Sequence, residues 1–131
     1  MLAINVEDLN HKLSVEVVDF VNEAYNVLPK KQKRYLDRYG VYIECVPCNV
    51  IGYGTNVYTT YVKEHTKYLI VIRMSRDWRF NILHELSHVL SKHCTGKNME
   101  RKLNQKEEDC MDVKAEKWLL AIKKSEKHAK N

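Results

Sequence analysis

The hydrophobic pattern begins with two segments of helical periodicity. Apolar residues recur at helical spacing from about Ser14 to Leu28, which predicts an amphipathic helix with Ser14 as its N-cap. Pro29 interrupts this pattern, and a second, basic helix is predicted to run to about Tyr39 and to end at Gly40. Two helices are therefore predicted ahead of the first clear strand signal.

The middle of the chain has the periodicity of strands. Val41, Ile43 and Cys45 alternate with Tyr and Glu neighbours, as in a half-buried strand. The segment 56–62 is rich in Thr, Tyr and Val, which predicts a second strand. A continuous apolar run within 67–74 predicts a third strand that is covered on both faces.

The pattern ends with two more helices. They are predicted over about 78–93 and about 104–124, with a break around the glycine between them. The order of elements indicates one α+β domain over residues 1–131, with a β region between N-terminal and C-terminal helices and a frayed tail over about 124–131.

The length and composition of the chain limit the classes of function that it can have. A chain of 131 residues can bury a core of its own, and no apolar run approaches the roughly 18 residues of a membrane span. The N-terminal segment does not have the pattern of a secretory signal, so a cytoplasmic protein without a membrane partner is expected.

The net charge is +5, and two clusters of basic residues are candidates for contact with nucleic acid or an acidic partner. No nucleic-acid motif accompanies them, so nucleic acid is not the expected partner. The clusters are Lys30, Lys31, Lys33, Arg34 and Arg38, and Lys123, Lys124, Lys127 and Lys130.

Cysteine spacing offers one short motif. Cys45 and Cys48 form a C-x-x-C pair, for which the functional interpretations are a redox pair or half of a second zinc site. Neither Cys94 nor Cys110 belongs to a second such pair. The spacing therefore favours a strand residue and a turn residue in a reducing compartment, and the role of the pair stays open.

The segment His84-Glu85-Leu86-Ser87-His88 carries the strongest chemical signal. Positions four apart share one face of a helix, so His84 and His88 can present two imidazoles to one metal ion. Glu85 lies beside the first of them, within reach of a water at the metal. This is the arrangement of zinc hydrolases: two neutral His ligands and a carboxylate that accepts a proton from the water.

A catalytic zinc commonly takes a third protein ligand, and the last helix offers carboxylates for it. Asp112 shares a helix face with apolar residues, so a buried carboxylate there is expected to bind a cation. Glu108 and Asp109 remain alternatives. The sequence prediction is therefore a Zn²⁺ site formed by His84, His88 and Asp112, with Glu85 as the catalytic base.

These residues resemble the ImmA/IrrE family of zinc metallopeptidases. Members carry Arg-Phe-Thr-x-x-His-Glu-x-Gly-His, and this chain has Arg-Phe-Asn-Ile-Leu-His-Glu-Leu-Ser-His over 79–88. Members also carry a later helix with an acidic residue, Ala and an aromatic, as at Asp112, Ala115 and Trp118. Ser87 stands where the family usually has Gly, and Asp112 where it more often has Glu.

The resemblance implies a zincin-like fold, in which a small mixed sheet packs against the helix of the His-Glu-x-x-His motif. It also implies cleavage of a phage or mobile-element repressor. The leading hypothesis is therefore a zinc-dependent endopeptidase whose intracellular substrate is a specific protein, such as a helix-turn-helix repressor. The alternative is a non-catalytic zinc-containing protein that contacts a repressor or nucleic acid, in which His93, Cys94 or Cys110 closes a four-ligand structural site. The endopeptidase is expected to leave generic unfolded substrates such as casein largely intact.

Overall fold

The sequence folds into helices packed on one small sheet. The computed structural model describes residues 2–47, 57–62, 67–91 and 105–129. The predicted turns over 47–54 and 64–66 and the predicted break around residue 96 lie wholly or largely outside these residues. In chain order the elements are β1 (Leu2–Asn5), α1 (His11–Asn26), α2 (Lys30–Tyr39), β2 (Val41–Val46), β3 (Val57–Val62), β4 (Lys67–Arg73), α3 (Trp78–Leu90) and α4 (Gln105–Ala129).

The four described strands form one mixed sheet in the order β1-β2-β4-β3. Strands β1, β2 and β4 are parallel, and β3 runs antiparallel to β4 at the edge. The register aligns Ile4, Ile43 and Ile70 across the three parallel strands. The predicted α+β class with a small mixed sheet is confirmed.

One face of the sheet packs against the helices. Alternate residues point to opposite faces of a strand, so Ile43 and Cys45 in β2 are buried while Tyr42 is 37% exposed. In β4, Ile70 and Ile72 are fully buried against the helices. Val71, on the opposite face, is also buried. Leu69 and Arg73 on that face are only partly buried, so the expectation that both faces of this strand are covered holds fully at Val71 alone.

The N-terminal part corrects two sequence predictions. Strand β1 precedes the first helix, although its four residues give no periodicity that could reveal it. Helix α1 starts at His11 with Asn10 as its N-cap, because the Asn10 side chain accepts a hydrogen bond of 2.8 Å from the Leu13 N–H. Ser14, the predicted cap, lies inside the helix and donates its hydroxyl to the Asn10 carbonyl.

Helix α2 ends where the sequence predicted. Gly40 adopts a φ of 70°, a conformation open mainly to glycine, and its N–H donates to the Leu36 carbonyl. Its own carbonyl then accepts from the Tyr68 N–H in β4 at 3.0 Å. Gly40 therefore ends the helix and places β2 beside β4 in the sheet.

Helix α4 is anchored to the rest of the core by its buried face. Trp118 is 8% exposed, and its indole N–H donates to the Ala24 carbonyl of α1 at 2.9 Å. The residues buried along this face are Met111, Ala115, Trp118 and Ile122. This anchor fixes which flank of α4 faces α3, and so which carboxylates reach the histidines.

The described ends of the last two helices differ from the predicted ends. Helix α3 is described to Leu90, and α4 continues to Ala129, past the predicted end at Lys124. None of the described helices has both the length and the apolar character needed to cross a bilayer.

Candidate metal centre

Helix α3 is held in place by an apolar face and an aromatic anchor. Trp78 at its first turn meets Phe20 of α1 edge to face, with ring centroids 5.5 Å apart. Four side chains along the helix are fully buried against the sheet and the other helices: Ile82, Leu83, Leu86 and Val89. With this face fixed in the core, the His84 and His88 positions point toward α4.

The two histidines of the motif converge on one point. Their Nε2 atoms lie 3.2 Å apart, and the ring centroids are 4.9 Å apart at an interplanar angle of 69°. His88 is 4% exposed, and the His84 side chain is 14% exposed. Helical spacing of four therefore does bring the two nitrogens together, as the motif predicted.

Glu108 of α4 meets both histidines on this same side. Its Oε2 lies 2.9 Å from His84 Nε2, and its Oε1 lies 3.2 Å from His88 Nε2. The carboxylate thus presents one oxygen to each ring, while its side chain stays 38% exposed. Two nitrogens from α3 and one carboxylate from α4 face a common centre.

Asp112 contacts His84 from the other side of the ring. Its Oδ1 lies 2.7 Å from His84 Nδ1. An ionised carboxylate only accepts hydrogen bonds, so Asp112 accepts from Nδ1 when the ring proton is there, and Glu108 accepts from Nε2 when it is there. A metal ion at Nε2, the atom that faces His88 and Glu108, would leave the proton on Nδ1 beside Asp112.

The chemistry of this donor set fits zinc. Tetrahedral zinc with ligands at about 2.0–2.1 Å keeps its ligand atoms about 3.3–3.4 Å apart. His84 Nε2 lies 3.2 Å from His88 Nε2 and 2.9 Å from Glu108 Oε2, close to that spacing, and the other Glu108 oxygen, Oε1, lies 3.2 Å from His88 Nε2. Atoms that turn lone pairs toward one another repel unless a cation or protons lie between them. The residues therefore can hold a metal ion.

Glu85 is the third acid at the site and comes from α3 itself. It is 5% exposed, and its ligand-type oxygen lies within 4.8 Å of the ligand-type nitrogens of both His84 and His88. A carboxylate at this position is close enough to exchange a proton with a water shared by the centre. The structure thus groups His84, Glu85 and His88, as the sequence predicted.

The carboxylates of α4 are arranged differently from the sequence argument. Asp112 was expected to be buried and to face the metal, whereas its side chain is 48% exposed and contacts Nδ1 of His84. Glu108, held as an alternative, faces the Nε2 atoms. Asp109, the other alternative, is exposed and accepts a hydrogen bond from Gln105 Nε2 at 2.8 Å. The role of Asp112 as a metal ligand remains a prediction from the sequence.

The cysteines do not join this centre in the part of the chain that is described. Cys45 is buried in β2, where burial raises the pKa of its thiol to about 12, so it remains protonated at neutral pH. Cys110 follows Glu108 by two positions, about 200° around the helix, and is exposed. Cys48, His93 and Cys94, named in the sequence predictions, lie outside the described residues.

The edge of the sheet lies beside the motif helix. Helix α3 contacts both β4 and the antiparallel edge strand β3. Among the described strands, β3 pairs on one side only, with β4. An edge strand has backbone N–H and C=O groups available for an added strand, which is one way that proteins bind extended peptides.

Comparison with known proteins does not assign the chain to a family. No protein-family model matches the chain, and no curated protein or solved structure matches it.

Proposed function

We propose that the protein is a zinc-dependent endopeptidase with a zincin-like fold, of the ImmA/IrrE type that its motif resembles. One observation carries the proposal: the Nε2 atoms of His84 and His88 and the carboxylate of Glu108 converge within 2.9–3.2 Å of one another. Glu85 beside this centre supplies the acid–base group that hydrolysis requires.

Glu108, rather than Asp112, is the proposed third ligand. The Nε2 atoms of both histidines face Glu108, whereas Asp112 contacts His84 at Nδ1. This geometry supports the assignment. Asp112 then orients the imidazole and keeps its proton on Nδ1, a role that carboxylates commonly have behind a metal-bound histidine.

Each residue has one role in the proposed reaction. Bound zinc supplies Lewis acidity, which polarises the scissile carbonyl and makes water a better nucleophile near neutral pH. The Glu85 carboxylate accepts a proton from the attacking water and delivers it to the nitrogen of the leaving amine. The attacking water forms a C–O bond with the scissile carbonyl carbon, and the C–N bond of the peptide then breaks. One water is consumed for each peptide bond.

The substrate of the proposed reaction is an extended protein segment. Strand β3 lies at the edge of the sheet and in contact with α3, so a peptide added there would run past the motif helix. Backbone hydrogen bonds of this kind discriminate poorly between peptides of different sequence. Selection of a particular protein, such as a repressor, must then come from contacts elsewhere on the surface.

Metal analysis and a matched set of variants test the proposal. The purified protein should contain about one zinc per chain, and His88→Ala should lose it. Glu85→Gln should keep both zinc and fold but lose hydrolysis, because an amide cannot accept the proton. Glu116→Gln, at an exposed position of α4, is the matched control and should behave as the wild type.

Hydrolysis can be followed without knowing the substrate. A native lysate of the source cells is incubated with each protein, and new protein N-termini are identified by mass spectrometry. We expect a short set of cleavage sites with the wild type and the control that is absent with Glu85→Gln. Cleavage that persists in Glu85→Gln would exclude the proposed base, and full zinc content in His88→Ala would exclude the proposed ligands.

A further inference from the structure

A groove with a basic rim lies between α2, α3 and α4. It consists of two adjoining cavities of about 350 Å³ and about 510 Å³, which share Gln32 and Leu90 as lining residues. The smaller cavity has an apolar floor that includes Val27, Leu28 and Trp118. We call the two together the basic groove.

The charges along the basic groove all have one sign. The charged side chains that line it are Lys31, Arg34, Arg38, Lys114 and Lys117. In the part of the chain that is described, no carboxylate lies within 4.0 Å of any of these five cationic groups. Three of the cations rise from α2 and two from α4, so an occupant of the groove would meet positive charge on both sides.

The aromatic residues of the groove are engaged in the fold. The Trp118 indole donates to the Ala24 carbonyl. The Tyr35 ring packs on Tyr39, and its hydroxyl lies 3.0 Å from that of Tyr68. Proteins that bind single-stranded nucleic acid combine a basic groove with accessible aromatic faces on which the bases stack, and these rings are already packed. An apolar floor between cationic rims instead suits apolar side chains flanked by carboxylates.

We propose that the basic groove docks an acidic amphipathic helix of a partner protein. The apolar side chains of that helix would enter the floor, and its Glu and Asp residues would pair with the cations of α2 and α4, as in other helix-in-groove complexes. The proposal follows from the shape and charge of the groove, and it does not depend on the hydrolysis proposed above.

The groove and the metal centre use opposite flanks of α4. Lys114 and Ala121 line the groove, whereas Glu108 and Asp112 face the histidines, about 120–180° around the helix from them. On α3, Ser87 and Leu90 line the groove while His84 and His88 face the metal side. Occupation of the groove therefore leaves the metal centre open.

The test is a binding measurement on the full chain by fluorescence anisotropy. The probe is a fluorescein-labelled synthetic peptide with Leu at i, i+4 and i+7 positions of a helix and Glu at its other positions. We expect the wild type to bind this peptide, more weakly as salt is raised, and to bind poorly the same peptide with Lys in place of every Glu.

Charge-reversal variants locate the site. Lys114→Glu combined with Lys117→Glu removes the α4 side, and Arg34→Glu combined with Arg38→Glu removes the α2 side. Each pair should weaken peptide binding by about tenfold or more. Lys123→Glu combined with Lys127→Glu makes the same charge change on α4 outside the groove, and it should leave binding within about twofold of the wild type. Circular dichroism checks that each variant is folded.

Three results would overturn the proposal. The first is that the wild type does not bind the acidic peptide. The second is that the Lys123/Lys127 control loses as much binding as the groove variants. The third is that the wild type binds single-stranded oligothymidylate more tightly than the peptide, and that the groove variants lose this binding. The last result would assign the groove to nucleic acid.

Discussion

At the scale of single residues, Asp112 and Glu108 of α4 each contact a different nitrogen of the His84 imidazole. Asp112 lies 2.7 Å from Nδ1 of His84, and Glu108 lies 2.9 Å from Nε2. A hydrogen bond from Nδ1 to a carboxylate raises the basicity of Nε2 and fixes the ring plane. The neighbouring acids thus have different expected effects on metal affinity, although they are one helical turn apart.

Isosteric substitutions separate these effects. Asp112→Asn should weaken zinc binding by about 10–100-fold, the usual range for a residue behind a metal ligand. Glu108→Gln should weaken it more, because a charged ligand atom is lost. Competition with a chromophoric chelator measures both affinities, and Asp109→Asn, at an exposed neighbour, should leave zinc affinity unchanged. Loss of zinc in Asp112→Asn with retention in Glu108→Gln would restore the sequence-based assignment.

The limits of sequence inference are visible at the same residues. Spacing alone predicts that His84 and His88 share a face, because the helix imposes that geometry locally. Spacing also predicts that Glu108 and Asp112 share a face. Which nitrogen each acid meets depends on how α4 is rotated against α3, and that is fixed by distant contacts such as Trp118 with Ala24.

At the scale of elements, Gly40 joins the helical half of the chain to the sheet. Its φ of 70° strains any residue with a side chain, although a Cβ there would meet only Lys67 Cγ at an ordinary 3.5 Å. The cost of Gly40→Ala should therefore come from the backbone and amount to about 1–3 kcal/mol.

Urea unfolding measures this cost as a lower midpoint with an unchanged slope. Lys30→Ala, at an exposed position of α2, is the control and should shift the midpoint little. An unchanged midpoint in Gly40→Ala would show that the chain relaxes to another conformation at this junction.

The elements differ in how far the sequence reveals them. Helix α2, strand β2 and the start of α3 carry their own periodicity and end signals, and they were predicted within a few residues. Strand β1 exists because it pairs in parallel with β2, about forty residues away, so no local pattern encodes it. Asn10 and Ser14 are both residue types that cap helices; in the structure Asn10 accepts from the Leu13 N–H, whereas the Ser14 hydroxyl donates to the Val6 carbonyl of the preceding turn.

At the scale of the whole molecule, the proposed catalytic centre and the proposed docking groove are separate. A substrate chosen through the groove must be folded enough to present an acidic helix, and it must also deliver an extended segment to the metal centre. An unfolded chain satisfies only the second condition. Affinity for such a chain would then rest on backbone contacts at the edge of the sheet.

We therefore expect the purified zinc form to cleave casein weakly or not at all. Gel electrophoresis over a time course measures the loss of intact casein, with Glu85→Gln as the control for contaminating proteases. Rapid and unselective degradation that disappears in Glu85→Gln would show that the metal centre needs no docked partner.

The proposed ligands come from two helices, with residues 89–107 between His88 and Glu108. An ion held by both would act as a removable cross-link that only the folded chain possesses. Binding of this kind adds about 4 kcal/mol of stability when free zinc exceeds the dissociation constant by about a thousandfold, and adds little when zinc is scarce. The lifetime of the protein in a cell would then follow the supply of zinc, independently of any substrate.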